Sequence, residues 1–85
     1  MSMLDGPFEG FIQQLNTDDV PPTAREIECL RVAYRIFTPA ISIRNAESIA
    51  AIGRYRSETS NYSHTERAAG IRLLVLFLTL RALAV

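Results

Sequence analysis

Three features of this 85-residue sequence predict an all-α fold, a small bundle of three to four helices with a long apolar C-terminal helix. Apolar residues recur at spacings of three and four. Two capping boxes open helical runs. No stretch alternates apolar and polar residues as a half-buried strand would. The helices are expected at about 7–15, 24–37, 43–56 and 64–84. Residues 1–22 read as a short amphipathic helix on a Pro-containing tether, and 23–85 as the helical core domain.

In the first helix Asp5 is placed to cap and Pro7 suits the first turn, where a missing N–H costs nothing. Phe8, Phe11, Ile12 and Leu15 share one helical face. That face could pack on the chain's own core, or dock in a groove of a partner or of a second copy. The linker 16–22 (NTDDVPP) is turn-rich and would permit release or exchange.

Thr23 and Glu26 form the first capping box, T-x-x-E. Ile27, Leu30, Tyr34 and Phe37 make one stripe, and Cys29, Val32, Ala33 and Ile36 another. The second helix should therefore be the central one, and Pro39 should end it. Ser42 can cap the third helix, with Ile43, Ala46, Ile49, Ala50, Ile52 and Gly53 for packing. A polar loop follows at 57–62 (SETSNY), and Ser63 with Glu66 makes the second box, S-x-x-E.

Residues 68–85 read AAGIRLLVLFLTLRALAV, in which only Arg72, Thr79 and Arg81 are plainly polar. At about 100° per residue the two arginines fall on opposite sides of a helix. A helix apolar on all sides must be buried in a core, a partner or lipid. The uncharged stretch 73–80 is eight residues long, whereas a spanning helix needs ~20. Burial between helices is favoured over a membrane span.

The apolar fraction of 48% is at the globular level, and the formal net charge is zero, so no global pull toward nucleic acid or membrane exists. All nine basic residues are Arg. Within 1–28, six carboxylates face Arg25 alone, a net of −5. Within 29–57, Arg31, Arg35, Arg44, Arg54 and Arg56 face Glu47, a net of +4. Either the two regions complement each other within the molecule, or the basic middle faces an anionic partner. The one cysteine, Cys29, excludes an internal disulfide and fits a reducing compartment. The first residues form no secretory signal, and a cytoplasmic location is expected.

Thr23-Ala-Arg-Glu-Ile-Glu-Cys-Leu-Arg31 resembles the opening of the LuxR/GerE-type helix-turn-helix, whose first helix often reads T-x-R-E-x-x-x-L-R. Ile41-Ser42-x-Arg44 and His64-Thr-Glu-Arg-Ala-Ala69 faintly echo later parts of that pattern. The resemblance implies a DNA-binding domain with Arg44, Asn45 and Ser48 near the start of the recognition helix. The sequence departs from the family where its turn glycine and second helix belong, since residues 35–40 (RIFTPA) stand there and leave the gap about seven residues short.

Chemistry has little to stand on. His64 is the one histidine, Cys29 lies on an apolar helix as a packing thiol, and Asp18-Asp19 lacks calcium-loop spacing. No catalytic, cofactor or metal residue is assigned. The expected function is that of a small non-enzymatic protein acting through protein–protein interaction, as adaptor, inhibitor or regulatory subunit, such as a phage or viral accessory protein. Self-association through the C-terminal helix, most simply as a homodimer, is expected. The interface residues assigned are Phe8, Phe11, Ile12, Leu15, Leu73, Leu74, Phe77, Leu80 and Arg81, and the anionic-partner contacts Arg44, Arg54 and Arg56. The alternatives are a DNA-binding regulator with a degenerate helix-turn-helix in residues 23–69, and a membrane-associated or structural assembly component.

Overall fold

The computed structural model describes residues 3–41 and 45–84 and is all-helical, with no strand among them. Four helices follow in order: α1 (Asp5–Leu15), α2 (Ala24–Ala40), α3 (Asn45–Glu58) and α4 (His64–Leu83). Ser42, Ile43 and Arg44 lie outside the described residues, as do the side chains of Asn45 and Ala46.

Both capping boxes form. Thr23 accepts from the Glu26 amide while the Glu26 carboxylate takes the Thr23 amide, and Ser63 and Glu66 repeat the arrangement. Each satisfies two donors that a helix start leaves open. At α1 the expectation fails. The helix begins at Asp5 after Leu4, without a side-chain cap. The Asp5 carboxylate instead accepts the Tyr34 hydroxyl at 2.5 Å. Pro39 does not stop α2 but sits in its last turn. There it removes one hydrogen bond, and the helix ends one residue later.

α2 and α4 form the centre and run parallel. Arg25 meets Glu66 near their starts, Cys29 meets Gly70, and Tyr34 meets Phe77 further along. α1 lies antiparallel to α2, with Glu9 on Arg31 and Asp5 on Tyr34. α3 returns antiparallel on another side, with Tyr55 against Phe37 and Glu58 paired to Arg35. The core joins Phe8, Ile12 and Leu15 of α1, Leu30, Ala33 and Ile36 of α2, Ala51 and Tyr55 of α3, and Leu73, Leu74 and Phe77 of α4.

The packing face of α3 differs from the expected one. Ile49, Ala50, Ile52 and Gly53 face solvent, whereas Ala51 and Tyr55 are buried. The loop after α3 is also shorter than 57–62, since α3 continues to Glu58. Thr59 is fully buried there, its hydroxyl donating to the Tyr55 carbonyl at 2.5 Å. Arg25 holds the rest of the loop, donating to the Asn61 carbonyl at 2.9 Å and lying 4.5 Å over the Tyr62 ring.

Candidate functional site

α3 and α4 leave the short loop at 59–63 and splay apart, because each packs mainly on α2 and only lightly on the other. Between them opens an apolar groove of about 740 Å³. Ala68, Ile71, Leu74, Val75 and Leu78 of α4 form one wall. Ile52, Tyr55 and Arg56 of α3 form the other, and Phe37 and Ile41 lie at the end of α2. His64 and Arg67 stand at the loop end. The Arg67 guanidinium approaches the His64 Nδ1 at 3.2 Å, so Nδ1 is the acceptor of that contact.

The interior carries little chemistry. Burial pushes the Cys29 thiol up from its ordinary value, which keeps it protonated and unreactive. Tyr55 is pushed up to about 12, by burial first and by the neighbouring Cys29 next. Its hydroxyl donates to the Arg67 carbonyl at 2.7 Å. Among the described residues no group of His, Cys, Asp and Glu gathers closely enough to hold a metal ion. No described helix is long and apolar enough to cross a membrane.

Several residues expected at an interface lie inside the chain's own core. Phe8, Ile12 and Leu15 are buried, and Phe11 is half-buried with its ring 5.3 Å from Phe77. Leu73, Leu74 and Phe77 are buried too. The free apolar surface of α4 is a different set: Val75, Leu76, Leu80 and Leu83 are 57%, 44%, 48% and 78% exposed. Leu80 and Arg81 are thus the two expected interface residues that do lie on the surface. The sequence signal for the groove is the spacing of Ala68, Ile71, Val75 and Leu78, which share one helical face.

The charge asymmetry is partly closed within the molecule. Arg31 binds Glu9 through two nitrogens, at 2.7 and 3.2 Å, and so joins the two regions, whereas Arg35 pairs with Glu58 and Arg25 with Glu66 at 2.8 Å, both acids beyond them. The Arg31 hydrogen bond holds the Glu9 carboxyl below its ordinary value, and Arg25 with the Ser63 amide does the same for Glu66. Arg54, Arg56, Arg72 and Arg81 are exposed and have no ion pair among the described residues. Arg44 lies outside those residues. Where the helix-turn-helix resemblance implies a turn, α2 runs unbroken from Ala24 to Ala40. No protein-family model, curated protein or solved structure matches the chain.

Proposed function

We propose that the protein acts by non-covalent contact, without catalysis, as a small helical adaptor, inhibitor or regulatory subunit, and that it pairs with a second copy through α4. The outer face of α4 carries this reading. Leu76, Leu80 and Leu83 stand in solvent on a helix whose adjoining face is filled by Leu73, Leu74 and Phe77. Contiguous exposed apolar surface of this kind marks an interaction face.

A two-fold axis lying across α4 would set the two helices antiparallel. Arg72 of each copy then comes beside the C-terminal turn of the other, where unpaired carbonyls carry partial negative charge. Zero net charge leaves little repulsion between copies. The lone thiol suits a reducing compartment, and we place the protein in the cytoplasm.

Light scattering tests the pairing. The wild type should have twice the chain mass, and Leu76→Glu with Leu80→Glu should give a monomer with unchanged helical circular dichroism. A wild-type monomer at the highest soluble concentration rejects it.

A further inference from the structure

We infer that the groove between α3 and α4 receives an amphipathic helix from a different protein, one that carries carboxylates at the end lying over Arg56 and Arg67. This rests on the reading that the protein works by contact, but not on the α4 pairing, which uses another face of that helix.

The shape comes first. Ala68, Ile71, Val75 and Leu78 run as a single stripe along the groove wall. Ile41 and Ile52 stand opposite and, at 60% and 45% exposure, remain as wet as Val75. A small molecule lying deep in the groove would leave these upper walls in water. A helix laid between α3 and α4 would cover them with its own apolar stripe. From His64 to Leu78 the wall spans roughly 21 Å at about 1.5 Å per residue, so it matches a helix of about 14 residues.

Charge then selects the occupant. Among the described residues, the ionisable side chains lining the groove, apart from the Tyr55 phenol, are Arg56, His64 and Arg67, and none is a carboxylate. All three sit at the loop end, so the groove is apolar along its length and basic at one end. Arg56 and Arg67 have no ion pair among the described residues, and the contact Arg67 makes with its side chain is to the His64 ring. Arginine forks suit carboxylates.

Among the described residues the chain offers no such helix, and α3 is itself a wall of the groove. α1 is acidic and amphipathic, but its apolar face is buried on α2 and α4. The exposed face of α4 carries Arg72 and no acid. The occupant therefore comes from another protein.

The test uses the full chain and two labelled helical peptides of about 14 residues, matched in their leucine stripe, with three Glu or three Lys at one end. Fluorescence anisotropy should show the Glu peptide binding at least about tenfold more tightly than the Lys peptide, an advantage that shrinks with salt. Arg56→Glu with Arg67→Glu should reverse the preference, and Val75→Glu should abolish binding of both. Equal affinity for the two peptides, binding of neither, or binding indifferent to Val75→Glu overturns the inference. So does saturable binding of dodecanoate by a protein that ignores both peptides. Light scattering on the same samples separates the two proposals, since a monomer that still prefers the Glu peptide fails the α4 pairing and keeps the groove.

Discussion

A Cβ placed on Gly70 would stand 2.8 Å from both the carbonyl carbon and the Cβ of Cys29, and equally near the Tyr55 hydroxyl. α2 and α4 therefore meet backbone to backbone, and the contact admits hydrogen alone. Gly70→Ala must push the helices apart. Overpacking of this kind costs about 1–3 kcal/mol, while better helix propensity offsets about 1 kcal/mol. Gly53, in the exposed middle of α3, has nothing within 4 Å of the same built Cβ. Gly53→Ala should stabilise by about 0.5–1 kcal/mol. Urea midpoints should move in opposite directions, and a Gly70→Ala protein more stable than wild type would refute the close contact.

The docking of α1 depends on Phe8, which stacks on Tyr34 at 3.9 Å and meets Phe77 edge-on at 5.3 Å. Phe8→Ala removes both ring contacts and should cost about 3–5 kcal/mol. The exposed linker at 16–21 should then become a protease site under conditions where the wild type resists. Unchanged stability and cleavage would mean that α1 contributes little to the core.

Thr23→Ala and Ser63→Ala should each destabilise by about 1 kcal/mol, because each leaves a helix-start amide without its acceptor. Glu66 adds an acid dependence. Its carboxyl is held below the ordinary value by Arg25 first and the Ser63 amide second. The native state thus binds that proton more weakly than the unfolded chain, so the contribution is present above the unfolded value and fades as pH falls through the native one. Glu66→Gln should flatten the acid side of the stability curve.

Tyr55 governs the alkaline side. Its value rises from 10.0 to about 12 in the fold, so the unfolded chain releases its proton first. The Tyr55 contribution is complete below about pH 10 and falls as pH rises from there toward 12, by roughly 1.4 kcal/mol per unit of separation. Cys29, also raised by burial, pushes the same way. Ultraviolet titration of wild type against Tyr55→Phe isolates this phenol, which should ionise late or together with unfolding. A phenolate appearing near pH 10 in folded protein would contradict its burial.

The features legible in the sequence are the local ones. Thr23 with Glu26 and Ser63 with Glu66 act within four residues, so their spacing carries the whole geometry. The face shared by Phe8, Ile12 and Leu15 was readable because α1 has a single apolar stripe. α3 was not readable in that way. Its apolar residues surround the helix, and the choice of Ala51 and Tyr55 over Ile49 and Ile52 is made by where α2 and Gly70 leave room. The groove was hidden for a similar reason. Ile52 and Val75 belong to helices whose splay is set by a third, and nothing local reports it. The pairs Arg31 with Glu9 and Arg35 with Glu58 join residues more than twenty apart, beyond any local spacing rule.

The parallel course of α2 and α4 has a consequence for how the chain reaches its shape. In an up-and-down bundle each new helix can settle on the one before it. Here Arg25 and Glu66, partners across the central pair, stand 41 positions apart, with the whole of α3 strung between them. Contacts so distant along the chain slow folding relative to a bundle of successive neighbours. During synthesis, which delivers the N-terminal part first, α1 and α2 emerge with their apolar faces bare. Phe8 and Tyr34 can find each other early, but Phe77 is still inside the ribosome. The bundle closes only when α4 arrives, so until then the apolar faces of α1 and α2 have only each other.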